Sequence, residues 1–273
     1  MKTHVVVFGS APLATWAIAK ILAHDGLHLT GVLCEKTSRP FAHHGLEYEC
    51  VFDYASRKGI EILDIEDLPD CVGPDMRHVG LSVRFPKLIR QDVISLFNGG
   101  IINFHGGVLP WYRGVNIANH CILDGASRGG ATLHFIDEGV DTGAIVDREF
   151  FPIEAQDTGH HVFRKTQQAL MAMFERNIDK IAAGEVVSVD QQEYLDNGET
   201  TRIYKNADLA AFRLLTREMS PEEISRRVRA FDFPSHEPAY FDFQGRRLYV
   251  TSRHEVFDLD GDRESDRCNA GGL

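Results

Sequence analysis

An asparagine and a histidine stand two residues apart at the end of the apolar stretch GIINFH, which covers residues 100–105. Because side chains alternate along a strand, Asn103 and His105 are expected on the same face. An amide donor beside an imidazole suits acyl transfer, since the amide stabilises a developing oxyanion and the imidazole moves protons. The pair therefore predicts acyl-transfer chemistry at the end of this strand.

A carboxylate that suits this pair lies in the stretch HFIDEGVDTGAIV, residues 134–146. Asp141 has a glycine two residues away on each side, and glycines let a loop turn sharply enough to reach a neighbouring strand end. A carboxylate beside His105 is expected to raise the pKa of the imidazole and to fix its tautomer. We predict that Asn103, His105 and Asp141 act as one trio.

The elements that must position these residues alternate short apolar runs with helical patterns. Strands are predicted at 4–8, 27–34, 59–63, 78–83, 100–105, 131–137 and 144–153, and helices at 13–23, 48–58, 86–97, 115–125, 157–183 and 221–230. This rhythm is typical of an α/β fold with a Rossmann-like, doubly wound, mostly parallel sheet, whose sites lie at the carboxyl ends of strands. The turn at 9–12, Gly-Ser-Ala-Pro, lacks the glycines of a dinucleotide fingerprint, so we reject NAD and FAD as ligands.

The pattern changes after the long helix. Two short strands, 239–243 and 246–252, are separated by Gln244-Gly245, which predicts a tight hairpin. We predict a catalytic domain at 1–190, a small α+β domain with this hairpin at 191–257, and a polar, disordered tail at 258–273.

Composition limits the class of protein. The 273 residues carry a formal net charge of −11, which is a poor match for nucleic acid phosphates. The five cysteines form no C-x-x-C pair, and the N-terminal apolar run is too short for a signal peptide or a membrane span. We therefore expect free thiols, no membrane association and a cytoplasmic location. The histidine pairs at 43–44 and 160–161 lack ligand spacing, so no metal is predicted.

The order of three motifs then indicates a family. N-x-H at 103–105, L-P-x-x-R-G at 109–114 and D-E-G-x-D-T-G at 137–143 resemble the formyltransferases that use N10-formyltetrahydrofolate, over roughly residues 1–190. The resemblance implies that Asn103 and a protonated His105 stabilise the oxyanion while Asp141 keeps His105 ionised and helps to remove the amine's proton. The chain departs from the family at 107–108, where Ser-Leu is frequent, and at His120, where Trp is frequent.

The resemblance also implies two sets of binding residues. A slot for the folate cosubstrate is expected beside Arg84, Phe85, Pro86, Lys87, Val108, Leu109, Pro110, Ile136, Asp137, Glu138 and Gly139. Contacts to the acceptor, through its pyrophosphate or by ring stacking, are expected from Trp111, Tyr112, Arg113, Tyr204 and Lys205.

The C-terminal segment favours one group of acceptors. Residues 203–250 resemble the sugar-nucleotide N-formyltransferases, which implies a nucleotide-linked amino-deoxy sugar as acceptor, a homodimer formed through the C-terminal domain, and a product for surface polysaccharide such as O-antigen. Residues 198–273 hold about as many acids as bases, which argues against a tRNA acceptor. Another small amine (a siderophore hydroxylamine or an amino acid), methionyl-tRNA and a non-catalytic folate-binding role stay open. The nucleotide and the sugar carbon that bears the amine are not specified by the sequence.

Overall fold

The regular elements can be stated for the described residues, which are 2–38, 45–234, 236–252 and 256–258 of a computed structural model. The strands are β1 Thr3–Phe8, β2 Leu27–Leu33, β3 His78–Val83, β4 Ile101–His105, β5 Tyr112–Gly114, β6 Arg128–Phe135, β7 Ile145–Pro152, β8 Arg202–Tyr204, β9 Leu214–Leu215, β10 Ala239–Phe243, β11 Arg246–Val250 and β12 Val256–Asp258. The helices are α1 Pro12–Leu22, α2 Val51–Lys58, α3 Leu68–Cys71, α4 Gln91–Ile94, α5 Ile117–Leu123, α6 Gly159–Ala183, α7 Gln191–Asp196, α8 Asn206–Arg213 and α9 Pro221–Phe231.

A six-stranded sheet carries the residues of interest, in the order β2-β1-β3-β4-β6-β7. The β1–β2, β1–β3 and β3–β4 pairs are parallel, whereas β4 and β6 are antiparallel. The strand order reverses at β1, as a doubly wound sheet requires. The predicted Rossmann-like, mostly parallel sheet is confirmed.

Both faces of this sheet are covered, which explains why β1 is apolar throughout. Val5 and Val7 face a core that includes residues of α1 and α6, whereas Val6 and Phe8 face a second core on the opposite side. Alternate residues of one strand therefore enter different cores, and every position favours an apolar side chain.

The smaller sheet has the order β12-β11-β10-β9. β10 and β11 pair in antiparallel fashion with Phe243 opposite Arg246, so the predicted hairpin with its Gln244-Gly245 turn is confirmed. Both turn residues have positive φ, 55° and 81°, as the tight connection demands. Of the predicted tail 258–273, Asp258 ends β12 and residues 259–273 lie outside the described residues.

Two elements differ from their predictions. The strand expected at 59–63 is reduced to one bridge between Ile62 and Val32. The helix expected at 86–97 is wrong in length, because Arg90 is extended (φ −85°, ψ 164°) and α4 starts only at Gln91. Ile89, Val93 and Phe97 still reach the second core from the short helix and its flanking turns, which satisfies the same apolar spacing without a long helix.

The chain forms two compact units, and each is assembled from three chain segments. The first comprises Met1–Gly114, Gly129–Phe151 and Arg164–Ile203, and the second comprises Val115–Arg128, Pro152–Phe163 and Tyr204–Leu273. The six-stranded sheet is in the first unit and the four-stranded sheet in the second. The boundary predicted at residue 190 stays a prediction.

Candidate active site

β4 carries Asn103 and His105 on one face, and the residue between them anchors the strand through its other face. Phe104, between them, points into the core, where its ring centroid lies 5.4 Å from that of Phe174 on α6. Asn103 is half-buried, whereas His105 is 5% exposed. The strand thus holds two polar side chains side by side at its carboxyl end, as the sequence predicts.

The antiparallel neighbour β6 adds a histidine that sequence reasoning missed. The register places His134 opposite Asn103, and Asn103 Nδ2 lies 3.1 Å from His134 Nε2. His134 Nδ1 lies 2.7 Å from the carbonyl oxygen of Phe135, which selects the tautomer with the proton on Nδ1 and leaves Nε2 as the acceptor. One amide hydrogen of Asn103 is held in this way.

Asp141 lies between the two imidazoles. Its Oδ2 is 3.6 Å from His105 Nδ1, and its Oδ1 is 3.5 Å from His134 Nε2. The backbone N–H of Gly114 donates to Oδ2 at 2.7 Å. Asp141 has a φ of +52°, a left-handed conformation that is unusual for a residue with a side chain. The structure therefore brings the predicted trio together and adds His134 to it.

The ionisation of Asp141 follows from these neighbours. Burial alone would raise the pKa of the carboxyl, but His105, His134 and the Gly114 N–H outweigh it and hold the pKa well below its usual range. Asp141 is therefore a permanent negative charge at neutral pH.

The pKa of His105 moves opposite to the direction expected from the sequence. Burial lowers the pKa of His105 below its ordinary value, and His134 adds to this, while Asp141 and the carbonyl of Tyr112 oppose it without prevailing. His105 Nε2 lies 2.6 Å from the Tyr112 oxygen and donates to it. The tautomer is thus set by Tyr112 and not by Asp141, and the lone pair of Nδ1 faces the carboxylate. The resting imidazole is neutral and suited to accept a proton.

Thr132 fixes the loop that follows β4. Its hydroxyl donates to the carbonyl of Gly107 at 2.7 Å and accepts from the N–H of Leu109 at 3.0 Å, and the side chain is fully buried. Arg148 holds the same loop from β7, since its Nη1 donates to the carbonyl of Leu109 at 2.9 Å and pairs with Glu199 at 2.9 Å.

The residues predicted for the folate slot fall into two groups. Val108, Leu109 and Pro110 are buried, and Ile136 is half-buried, whereas Asp137, Glu138 and Gly139 are exposed. The second group lies in the exposed loop after β3, where Phe85, Pro86 and Lys87 line a cavity of about 140 Å³ together with residues such as Leu33, Asp64 and Glu66. None of the trio lines this cavity. Arg84, the first residue after β3, is exposed and has a φ of +55°. The binding roles of both groups stay predictions.

The predicted acceptor contacts also differ in their surroundings. Trp111, Tyr112 and Arg113 are half-buried, and the ring of Trp111 lies 6.4 Å from that of Phe150. Lys205 is exposed. Tyr204 is 4% exposed, and its hydroxyl donates to Asp124 at 2.5 Å, a packing role that sequence reasoning did not anticipate. Their roles toward a substrate stay predictions.

Two further observations concern metal ions and membranes. Within the part of the chain that the structure describes, no group of three or more His, Cys, Asp or Glu side chains is arranged to hold a metal ion. No helix there is long and apolar enough to cross a membrane.

Comparison with known proteins identifies relatives. Residues 72–178 match the family model described as formyl transferase. The GDP-perosamine N-formyltransferase of Brucella melitensis is 31% identical over 179 residues, which are 66% of this chain and 65% of that protein, so the match spans less than two thirds of the relative. The methionyl-tRNA formyltransferase of Lachnospira eligens is 26% identical over 90% of this chain and 77% of its own length.

A solved structure shares the fold. The N-formyltransferase of Helicobacter canadensis, in complex with folinic acid and dTDP-3-aminofucose, superimposes with a TM-score of 0.71 at 20% identity. The superposition covers 91% of this chain and 86% of that one. At this identity the likeness shows the fold.

Proposed function

Since residues 72–178 belong to the formyl transferase family, we propose that the protein transfers a formyl group from N10-formyltetrahydrofolate to the amino group of a nucleotide-linked amino sugar. The observation that carries this proposal is the assembly of Asn103, His105 and Asp141 at adjoining strand ends, together with His134. An amide donor, a neutral imidazole and a buried carboxylate are the groups that transfer of an acyl unit to an amine requires.

Each side chain has a distinct part in this chemistry. When bound, N10-formyltetrahydrofolate supplies the formyl group. Asn103, held by His134, donates its second amide hydrogen to the formyl oxygen as negative charge develops there. His105 accepts the proton that the attacking amine loses, at the Nδ1 atom that faces Asp141, and would return it to the donor nitrogen that leaves as its bond to the formyl carbon breaks. The carboxylate stabilises the imidazolium that results, which offsets the cost of burying that charge.

The folate slot belongs to this proposal. The trio fits a formyl donor by its chemistry, and Ile136, which is half-buried, leaves apolar surface of the kind that a pterin ring needs. The related structure from Helicobacter canadensis contains folinic acid, which supports a folate in this fold. We assign the pterin to the neighbourhood of Val108–Pro110 and Ile136, because these residues lie close in the chain to the catalytic side chains.

The relatives support the acceptor class. The Brucella relative acts on GDP-perosamine and the Helicobacter structure holds dTDP-3-aminofucose, so both names contain an amino sugar on a nucleoside diphosphate. The nucleotides differ between the two, and we commit to the class alone. The N-formylated sugar is then a building block for surface polysaccharide such as O-antigen.

The assembly and location are also part of the proposal. We place the protein in the cytoplasm as a homodimer formed through its C-terminal domain, with no nucleic acid partner. Cys34, Cys50 and Cys71 are free thiols, which supports a reducing compartment.

A turnover assay tests the proposal. The protein is mixed with N10-formyltetrahydrofolate and a panel of dTDP-, GDP- and UDP-linked 3-amino and 4-amino sugars, and tetrahydrofolate release is followed. We expect turnover with one member, none with its N-acetylated form, and loss of on the order of 10²–10³ in rate for Asn103→Ala. His105→Ala serves as the second catalytic control.

Other outcomes would select another acceptor. Silence across the panel, with the cosubstrate still bound, would reject the sugar nucleotide and favour a different small amine. Salt-sensitive formylation of methionyl-tRNA would favour the activity of the Lachnospira relative, whose match covers most of this chain.

A further inference from the structure

Gln191 is a buried glutamine that joins three parts of the active-site region. It is the first residue of α7 and is 3% exposed. Its Nε2 donates to the carbonyl oxygens of Asp141 at 2.9 Å and Gly143 at 2.8 Å. Its Oε1 accepts from Arg113 Nη2 at 3.4 Å. Both side-chain amide hydrogens of Gln191 therefore form hydrogen bonds to the loop that carries Asp141.

The Asp141 loop needs such a restraint. A left-handed backbone costs a residue with a side chain roughly 1–2 kcal/mol, so the loop does not hold this conformation by local preference. Two donors on carbonyls two residues apart fix the peptide plane that precedes Thr142 and the one that follows Gly143. The segment that leads to α7 is anchored independently, because Ile145 and Val189 exchange two backbone hydrogen bonds of 2.8 Å. Gln191 thus follows a segment that is held to β7 by backbone hydrogen bonds.

The amide oxygen of Gln191 accepts a hydrogen bond from the guanidinium of Arg113, so this cation is paired with a neutral group. Arg113 Nε is buried and has no hydrogen-bond partner among the described residues. Arg113 also precedes Gly114, whose N–H donates to the Asp141 carboxylate. Two separate connections, one by side chain and one by backbone, therefore run from Arg113 to Asp141.

We propose that Gln191 is a positioning residue that holds the Asp141 carboxylate against the two imidazoles and couples it to Arg113. An acceptor's pyrophosphate that binds Arg113 also orders the Asp141 loop through this amide, so catalysis responds to the anionic half of the acceptor. The role of the acceptor in this inference rests on the proposed function, whereas the hold on Asp141 does not.

The first test needs no substrate. Gln191→Met keeps the volume of the side chain and removes both donors, and the C–H resonances of His105 are titrated by NMR. Because Asp141 raises the pKa of His105, release of the loop is expected to lower that pKa further. Gln192→Met is the matched control, since Gln192 is the exposed neighbour on α7 and its side-chain amide donates to Asp196. Titrations that coincide for wild type and Gln191→Met would overturn the proposal.

The second test uses turnover. We expect kcat to fall about 10- to 100-fold in Gln191→Met, as for a misplaced catalytic group, with the KM for N10-formyltetrahydrofolate unchanged. Gln191→Glu keeps an acceptor for Arg113 but sets a carboxylate against two carbonyls, so it too should lose kcat; it replaces Gln191→Met if that variant does not fold. Wild-type kcat in a folded Gln191 variant would refute the role. If wild type itself transfers no formyl group, the proposed function fails, and the titrations still decide whether Gln191 positions Asp141.

Discussion

Two histidines lie beside the Asp141 carboxylate in this site, and their ring nitrogens have different hydrogen-bond partners. His134 uses Nδ1 on a carbonyl and Nε2 on Asn103, so it serves to orient the amide donor. His105 is bonded through Nε2 and keeps the lone pair of Nδ1 toward Asp141. In the proposed mechanism one imidazole therefore positions the amide donor while the other carries the proton.

Substitutions of Asp141 separate its charge from its backbone conformation. Asn adopts the left-handed region more readily than other side chains and still accepts from Gly114 N–H, so Asp141→Asn is expected to fold as wild type. We expect its turnover to fall on the order of 10²–10⁴, because the imidazolium loses its counter-charge. Asp141→Ala should lose turnover equally and should also lose roughly 1–2 kcal/mol of unfolding free energy.

Initial rates and urea denaturation of both variants measure the two effects. Equal stability of the Ala and Asn variants would remove the backbone argument. Turnover near wild type in Asp141→Asn would remove the carboxylate from the mechanism.

The sequence predicts the trio but not its environment. Asn103 and His105 are predictable because their spacing and the end of an apolar run determine a shared face, and the glycines beside Asp141 indicate a sharp loop. His134 is not, because its role depends on the antiparallel register of β4 and β6, which links residues 31 positions apart. A signal existed, since His134 lies next to the last residue of β6, just before the Asp141 loop.

The pKa of His105 shows the same limit. A nearby carboxylate is expected to raise the pKa of an imidazole, and it does so here, but burial outweighs it. Depth of burial is a property of the packed fold and cannot be read from spacing.

At the scale of elements, the amino ends of three parallel strands bring together three histidines. The register aligns His4 of β1 with His28 of β2 and with His78 of β3, and the ring of His4 lies 4.6 Å and 5.2 Å from the other two. His78 is 1% exposed, and neither ring nitrogen has a hydrogen-bond partner among the described residues. Burial first, and then the neighbouring imidazoles, lower the pKa values of His4 and His78.

This cluster predicts a loss of stability in mild acid. The folded pKa of His78 lies below that of the unfolded chain, near 6.5, so the unfolded state binds protons more readily as pH falls. The contribution is therefore fully present above about pH 6.5 and is lost as pH falls through the folded value, at about 1.4 kcal/mol for each unit of pKa difference. His78→Leu is expected to flatten the decline.

Urea denaturation between pH 7.5 and pH 5 measures the effect, with His161→Gln on α6 as the control. An unfolding free energy that declines equally in wild type and His78→Leu would show that the cluster does not titrate with unfolding.

The misprediction of the helix at 86–97 has a physical reason. Apolar spacing predicts which side chains must reach a core, and Ile89, Val93 and Phe97 do reach it. A long helix is one backbone path that meets this requirement, and a short helix flanked by turns is another. The two paths diverge at Arg90, whose backbone is extended.

At the scale of the whole molecule, we predict a homodimer that uses the four-stranded sheet. Phe243 on β10 is 51% exposed and Leu214 on the neighbouring strand β9 is 39% exposed, so apolar surface is available there. Phe243→Glu is expected to weaken association at least about tenfold, because it puts a charge into an apolar contact that must be dehydrated. Sedimentation velocity over a range of concentrations measures the change.

Val187→Glu is the matched control, since Val187 is 77% exposed and lies in the other compact unit. A monomeric wild type, or equal weakening by both substitutions, would contradict a dimer built through this sheet.

The two compact units are interleaved along the chain, since each is assembled from three separate segments. This arrangement restricts how such a protein can diversify by recombination. A single crossover in the gene that replaces everything from Tyr204 onward would exchange only part of the second unit and would leave Val115–Arg128 and Pro152–Phe163 with the old parent. A crossover early enough to take the whole second unit would also take parts of the first, so the second unit cannot be transferred alone as one C-terminal segment.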